Sequence, residues 1–180
     1  MNICVFCGSS AGSSPVYAEA TKQLAITFAK SNVTLVYGGG NVGLMGILAD
    51  EVLKHGGRAI GVIPDFLVRR EVAHAGLTQL EIVASMHDRK KRMADLADAF
   101  IALPGGWGTL DELAEILTWR QLNLITEPIG LLNTNSFFDA LITQMKKMSS
   151  EGFLKEENLS QLKIGSNPEE LFTMLGVLHN

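Results

Sequence analysis

One glutamate, Glu112, closely follows a glycine-rich turn of the sequence. The stretch AFIALPGGWGTLDELAEILTW (99–119) begins as a short apolar run, passes through Pro104 and three glycines, and continues as a helical pattern that contains Glu112. Glycines leave backbone N–H groups uncovered, and a helix N-terminus carries partial positive charge, so a strand, glycine turn and helix in succession favour an anion site. Glu112 is then an anion beside a predicted anion site, which makes it a candidate for chemistry.

A purely structural role for Glu112 also fits the sequence. Thr109 and Glu112 have the spacing of a capping box, in which the glutamate only bonds the backbone amide of the N-cap residue. Most Thr-x-x-Glu pairs at helix starts have this role, whereas the neighbouring glycines favour chemistry. Both interpretations stay open at the level of sequence.

A run of four cations, Arg89–Arg92, occurs early in a predicted helix that begins near Met86. Cations near a helix N-terminus oppose the helix dipole. Solvation at the surface explains most charge runs, but four cations in one turn indicate a compensating anion, such as a bound phosphate. His87, next to the run, is expected to be solvated or packed rather than to act as a base.

Two other motifs have simpler explanations than their patterns first indicate. Cys4 and Cys7 form C-x-x-C, but within a strand their Cα atoms lie roughly 10 Å apart, beyond the ~7 Å limit for a disulfide. Gly38, Gly40 and Gly43 have the spacing of a dinucleotide-binding loop. That loop normally follows the first strand of the chain and precedes an acidic residue about 20 positions on; neither condition is met, so NAD is not expected.

Predicted strands and helices alternate along the chain, which is typical of an α/β protein with a parallel sheet. Glycine- or serine-rich loops follow three strands, after Cys7, Tyr37 and Leu103, and ligands of such sheets bind at the carboxyl ends of the strands. With a strand order of 3-2-1-4-5, the three loops would face one crevice and bind a ligand with phosphate and ribose. The segment Pro64–Gly76 is expected to be a short helix or a lid. The predicted strands are Asn2–Cys7, Val33–Tyr37, Arg58–Ile63, Leu80–Ala84, Ala99–Leu103, Pro128–Leu132 and Gln161–Ile164, and the last predicted helix is Pro168–Leu178.

The bulk composition restricts the protein class. With 180 residues, 47% apolar and 19% charged, the chain predicts one globular domain, residues 1–180. The net charge of −4 and the lack of a long basic run argue against nucleic-acid binding. No uninterrupted apolar stretch of about 18 residues and no basic-then-apolar N-terminus is present, so neither a membrane span nor a signal peptide is expected, and the cytoplasm is the default location.

Several segments of the sequence resemble those of a known family. The segment PGGWGTLDE (104–112) matches the PGG-x-GT-x-x-E pattern of the LONELY GUY (LOG) proteins, which are cytokinin riboside 5′-monophosphate phosphoribohydrolases long labelled as lysine decarboxylases. CGSS (7–10), YGGGNVGLMG (37–46), GVIP (61–64), GLTQL (76–80) and MHDRKKRM (86–93) are similar to segments of that family in the same order. The resemblance implies a single Rossmann-like domain with a mostly parallel sheet and helices on both faces.

The resemblance also implies a reaction and a set of site residues. The reaction is hydrolysis of the N-glycosidic bond of adenosine 5′-monophosphate or an N6-substituted form, with base and ribose 5-phosphate as products. Arg89 and Glu112 would be the catalytic pair. The phosphate would be held by Gly105, Gly106, Gly108 and Thr109, and the rest of the nucleotide by Ser9, Gly39, Gly40, Met86 and Lys90. No metal or cofactor is expected, and a homodimer is the expected assembly.

Two alternatives remain at this stage. A nucleotide or cofactor carrier of the same fold would need the glycines but not the carboxylate of Glu112. A pyridoxal-dependent decarboxylase would need a desolvated lysine, whereas Lys90 and Lys91 lie in the cationic run.

Overall fold

The computed structural model describes residues 1–69 and 71–177, which form one seven-stranded sheet covered by helices. The strands are β1 (Asn2–Phe6), β2 (Thr34–Tyr37), β3 (Arg58–Pro64), β4 (Gln79–Val83), β5 (Ala99–Ala102), β6 (Ile129–Leu132) and β7 (Leu162–Gly165). The helices are α1 (Pro15–Lys30), α2 (Gly43–Lys54), α3 (Met86–Leu96), α4 (Trp107–Gln121), α5 (Asp139–Ser150), α6 (Glu156–Ser160) and α7 (Pro168–Met174), with 3-10 turns at Asp65–Leu67 and Thr134–Ser136.

All pairs of neighbouring strands in the sheet are parallel, and their order is β4-β3-β2-β1-β5-β6-β7. The order 3-2-1-4-5 considered from the sequence is therefore wrong. The fourth strand reads QLEIV and is largely exposed, which suits an edge position beside β3. The fifth strand reads AFIA and is fully buried, so it lies in the middle of the sheet beside β1. In the middle of the sheet, the glutamate of β4 would be buried and would lose the hydration of its charge, which is energetically costly. The uncharged β5 has no such cost.

The direction in which strands are added changes between β1 and β5. From β1 the chain moves outwards through β2, β3 and β4, then returns through α3 to the other side of β1 and continues through β5, β6 and β7. In open α/β sheets, this change of direction opens a crevice beyond the carboxyl ends of the two central strands. The crevice between β1 and β5 is thus where the fold favours a ligand.

Helices cover both faces of the sheet, as expected, and each face has its own hydrophobic core. One core packs α1, α2 and α7 on the sheet, with Phe28 and Phe172 in edge contact at 5.3 Å between ring centroids. The other core packs α3, α4 and α5 on the opposite face around Phe100 and Leu113. Residues of β1, β2 and β5 alternate between the two cores, which is why these strands are apolar without interruption.

Several element ends differ from the sequence expectation. α4 begins at Trp107 rather than near Thr109, and α5 begins at Asp139 rather than at Ser136. α7 ends at Met174, and the predicted end at Leu178 lies outside the described residues. In the described part of the chain, no helix has the length and apolar character needed to cross a lipid bilayer.

Candidate active site

A cavity of about 200 Å³ lies at the carboxyl ends of β1, β2 and β5, in the crevice that the strand order creates. Each of these strands contributes the loop that follows it, and α3 and the segment after β3 form the remaining walls. The described residues that line it are Val5, Cys7, Gly8, Ser9, Gly38, Met45, Leu67, Glu71, Met86, Arg89, Gly106, Trp107, Gly108, Thr109, Asp111 and Glu112.

The loops after β1 and β5 are joined directly at the cavity. The backbone amide of Gly8 donates to the carbonyl of Pro104 at 3.1 Å, and Leu103 donates to Phe6 at 2.9 Å. An added Cβ on Gly105 would lie 2.1 Å from Oγ1 of the buried Thr109, so this position must be glycine for the loop to fold back onto α4. The pairing fixes where α4 begins relative to the end of β1.

The N-terminus of α4 presents unused hydrogen-bond donors to the cavity. Its N-cap residue is Gly106, whose lack of a side chain means that no side-chain oxygen caps the helix. Within the described residues, the amides of Trp107, Gly108 and Thr109 have no hydrogen-bond acceptor. Added Cβ atoms on Gly106 and Gly108 would meet no protein atom within 4 Å, so the space above these amides is open. Uncommitted amides at a helix N-terminus form a site for a phosphate.

Arg89 is the buried charge of the cavity and is only 5% exposed. Its Nη2 donates to the carbonyl oxygen of Gly38 at 2.9 Å and to Oε2 of Glu71 at 3.3 Å. A Cβ on Gly38 would lie 1.9 Å from that nitrogen, so a glycine after β2 is required for the guanidinium to fit. The Nε of Arg89 has no hydrogen-bond partner among the described residues. An unpaired buried donor is costly, and this N–H is one that the fold leaves without an acceptor.

Glu71 is a residue of the cavity wall that the sequence alone did not identify. It lies in the segment between β3 and β4, its side chain is 19% exposed, and it forms the ion pair with Arg89. No motif around Glu71 marks it as a site residue. The sequence indicated only that the segment Pro64–Gly76, which contains it, forms a short helix or a lid. A short 3-10 helix, Asp65–Leu67, is present in that segment.

Glu112 is not part of a capping box. The N-cap position of α4 is Gly106, so Thr109 and Glu112 lie at the third and sixth helical positions, and neither occupies the cap position. Glu112 is partly buried against the cavity. Burial raises the pKa of its carboxyl to about 7; the nearby Arg89 guanidinium opposes this rise, and the carboxylates of Asp111 and Glu71 add to it. A carboxyl group in a cleft whose pKa is raised close to neutral pH is a candidate functional group.

The cavity brings together most of the residues singled out from the sequence. Ser9, Met86, Arg89, Gly106, Gly108, Thr109 and Glu112 all line it. Gly105 lies in the same loop and faces two neighbouring depressions. Three of the expected nucleotide contacts, namely Gly39, Gly40 and Lys90, are absent from the described lining, and their role toward a nucleotide stays a prediction.

Lys90 is instead engaged between two helices. Its Nζ lies 3.1 Å from Asp111 Oδ2 and 3.1 Å from Glu115 Oε2, both on α4. It follows Arg89 on α3, so the same stretch of helix supplies the cavity's guanidinium and a bridge to the helix that carries Glu112. The bridge holds the two catalytic candidates on facing helices.

Both cysteines are free and buried. Cys7 lines the cavity, where burial and then the charge of Glu112 raise the pKa of its thiol far above the usual range. A thiol held protonated in this way is a poor nucleophile and metal ligand.

Comparison with known proteins identifies the family. Residues 45–175 match the protein family described as "Possible lysine decarboxylase". The chain is 47% identical over 174 residues to the Arabidopsis thaliana protein named cytokinin riboside 5′-monophosphate phosphoribohydrolase LOG7, an alignment that covers 96% of this chain and 80% of that protein. It is 44% identical to LOG2 of the same plant, with 96% and 81% covered. The chain belongs to the LOG family. A rice relative named LOG (Oryza sativa subsp. japonica) is 45% identical over 155 residues, which cover 86% of this chain and 64% of the rice protein.

Solved structures share the fold at lower identity. A molybdenum cofactor binding protein from Rippkaea orientalis superposes with a TM-score of 0.71 at 23% identity, covering 97% of this chain and 94% of that chain. The molybdenum cofactor carrier protein of Chlamydomonas reinhardtii gives 0.71 at 18% identity, with 98% and 94% covered. These similarities establish the Rossmann-like fold of this LOG-family chain and nothing about its ligand.

Proposed function

We propose that this LOG-family protein hydrolyses the N-glycosidic bond of adenosine 5′-monophosphate or its N6-substituted, cytokinin-type forms. The observation that carries the proposal is the convergence, in one cavity, of a helix N-terminus with free amides, a buried guanidinium and a carboxyl with a pKa of about 7. The printed activity of its relatives at 44–47% identity supports the same reaction.

In the proposed reaction, the 5′-phosphate binds the amides at the start of α4, where Gly106 and Gly108 leave room for it. Binding of this remote group holds the ribose within reach of the carboxyl one turn further along the helix. The bond between ribose C1′ and the base nitrogen breaks with its electron pair on the base, and the carboxylate of Glu112 stabilises the positive charge left on the ribose. Water then adds to C1′, and the proton that it loses passes to Glu112 and from there to the departing base.

Arg89 has a different part in this mechanism. A guanidinium does not release its proton near neutrality, so it is not the acid that protonates the leaving base. Its buried charge and free Nε–H fit a role in orienting the nucleotide and in keeping Glu112 partly ionised. The ion pair with Glu71 sets the direction of the guanidinium.

The carrier hypothesis is less well supported than hydrolysis. A carrier of this fold would need the loop amides, but it gives no reason for a partly buried glutamate that caps nothing and has a raised pKa. The decarboxylase hypothesis requires a lysine in the cavity. Within the described lining there is none, and Lys90 is bound to two carboxylates.

The test is incubation of the purified protein with AMP and with N6-isopentenyl-AMP, followed by chromatography of the base and an assay of reducing sugar. Equal amounts of free base and ribose 5-phosphate are expected. Tight nucleotide binding without either product would support the carrier instead. The ratio of kcat/KM for the two substrates would define the preferred base.

We further propose that the protein acts as a homodimer. Trp107, 87% exposed, lies with Leu110 and Phe137 around an apolar depression beside the α4 N-terminus. Exposed apolar clusters of this kind are typical of association surfaces. Sedimentation velocity of the purified protein tests this, and a single species with the mass of one chain would refute it.

A further inference from the structure

The segment between β3 and β4, residues 65–76, supplies Glu71 to the cavity and is called the strap below. It contains one short 3-10 turn, Asp65–Leu67. Val72, directly after Glu71, has φ of 49°. A β-branched residue rarely adopts this left-handed conformation, and it persists only where the surrounding structure enforces it. Something must therefore hold the strap in place.

The backbone of Gly39 and Asn41, in the loop after β2, forms hydrogen bonds that hold the strap. The amide of Asn41 donates to the carbonyls of Glu71 at 3.0 Å and Val72 at 2.9 Å, and the amide of His74 donates to Gly39 at 3.0 Å. An added Cβ on Gly40 would lie 3.1 Å from the Cβ of Glu71, closer than side chains normally pack. In this chain, the loop after β2 therefore binds the backbone of the strap through Gly39 and Asn41, and Gly40 packs against Glu71.

The side chain of His74 fastens the end of the strap to α2. It is 7% exposed and uses both ring nitrogens. The amide of Gly76 donates to Nδ1 at 3.0 Å, so Nδ1 carries no hydrogen. Nε2 is then the protonated nitrogen, and it donates to Oδ1 of Asp50 at 2.9 Å. Asp50 lies on α2 and its side chain is 65% exposed.

We propose that the Asp50–His74 pair is a positioning device for the proposed hydrolysis: it fixes the strap so that Glu71 orients Arg89 toward the substrate. Neither Asp50 nor His74 lines the cavity. Both act through the ion pair of Glu71 with Arg89, whose guanidinium faces Glu112 across the cavity. The inference rests on the proposed function only for its effect on turnover; the fastening of the strap is independent of it.

The main test variant is Asp50→Ala, because an exposed side chain can be removed with little risk to folding. Asp50→Asn keeps an oxygen that accepts from Nε2 and should rescue the defect. Glu51→Ala is the matched control. It is the next residue of the same helix, and its carboxylate pairs with Lys54 and His55 rather than with the strap.

Asp50→Ala is expected to lower kcat roughly five- to tenfold, the size of one ordinary lost hydrogen bond. KM should change less than twofold, because the backbone amides of α4 that are proposed to bind the phosphate are unchanged. In a Glu71→Gln background the same change should have no further effect on kcat, since the pair acts through Glu71. Full additivity of the two changes, or a kcat of Asp50→Ala equal to that of Glu51→Ala, would overturn the proposal.

Hydrogen exchange provides a readout that does not depend on the reaction. Asp50→Ala should raise amide exchange in peptides that cover residues 65–76, whereas peptides of α7 and the Glu51→Ala control should match the wild type. Unchanged exchange in the strap would refute the fastening role. If the wild type cleaves no nucleotide, the proposed function fails while the exchange result still decides the role of the pair.

Discussion

Two residues of opposite charge, Arg89 and Glu112, are central to the site, and both are shielded from water. Arg89 is hydrogen-bonded to the carbonyl of Gly38 and to the carboxylate of Glu71. Glu112 has no comparable partner among the described residues, and burial raises the pKa of its carboxyl to about 7. Near neutral pH it is therefore partly protonated and easily ionised, which suits a group that must accept a proton during turnover.

Replacing Glu112 with glutamine separates catalysis from binding. We expect kcat to fall roughly 10²–10⁴-fold, the usual contribution of a positioned general base. The dissociation constant for AMP, measured by calorimetry, should change less than about threefold, because the α4 amides remain. Glu19→Gln, on α1 and outside the cavity lining, is the control. A near-normal rate for Glu112→Gln would exclude Glu112 from catalysis.

The pKa of Glu112 also predicts how stability changes with pH. Its value in the folded protein, about 7, lies above the ordinary value of 4.5, so the folded state binds the proton more tightly than the unfolded state does. The stabilisation is then complete below about 4.5 and is lost as pH rises through about 7. Relative to Glu112→Gln, the wild type should lose about 2–3 kcal/mol of unfolding free energy between pH 4.5 and pH 8.

Urea denaturation of both proteins at several pH values measures this difference. The glutamine side chain does not titrate, so other groups contribute equally to the two curves and cancel. Parallel curves would show that the carboxyl of Glu112 has an ordinary pKa in the folded protein.

At the scale of the element, α4 has two functions that make different demands on its first turn. As a helix it would be stabilised by a capping side chain and by residues with high helix propensity. As an anion site it needs bare amides, and Gly106 and Gly108 provide them at the cost of helix stability. Under the proposed function, the first turn of α4 gives up helix stability for phosphate binding, as functional sites often do.

Gly108→Ala tests this exchange directly. The new methyl group meets no protein atom within 4 Å, so the helix should gain about 0.5–1 kcal/mol of stability. A Cβ in a helix leans toward the N-terminus, and here it would enter the space assigned to the phosphate. We expect KM for AMP to rise roughly tenfold, while kcat changes less. An unchanged KM would place the phosphate elsewhere.

At the scale of the whole molecule, the sheet separates the parts that stabilise the fold from the part that acts on a ligand. The cavity lies at the carboxyl ends of the central strands, whereas α7 packs on β6 and β7 at the side of the sheet. Leu171 of α7 is fully buried and fits against two glycines; a Cβ on Gly130 would lie 2.7 Å from its Cδ1, and one on Gly165 would lie 2.8 Å from its Cβ.

Leu171→Ala should therefore affect stability alone. Removal of a fully buried leucine typically costs about 2–5 kcal/mol, measured here by urea denaturation. Below the unfolding transition, kcat and KM should match the wild type within about twofold, because α7 packs on β6, β7 and α1 and none of its residues lines the cavity. A selective loss of kcat in the folded variant would show that α7 is coupled to the site.

Structural features that depend on residues close together in the chain were predictable from the sequence. The uncharged runs predicted buried strands, Pro104 and the glycines predicted the turn before α4, and the position of Glu112 after that turn marked it as a candidate. The buried strands and the turn are confirmed, because strand burial and turn geometry are set within a few residues of chain. The catalytic role of Glu112 stays a prediction. The resemblance to the LOG family added Arg89, whose own surroundings in the sequence showed only a charge run.

The contacts between distant segments became visible in the folded chain. The edge position of β4 brings β5 beside β1, and through it α3 and α4 face each other so that Arg89 and Glu112 share a cavity. Glu71 reaches Arg89 because the strap is hydrogen-bonded to Gly39 and Asn41 in the loop after β2. These contacts depend on strand order and on packing between separated segments, so no local pattern encodes them.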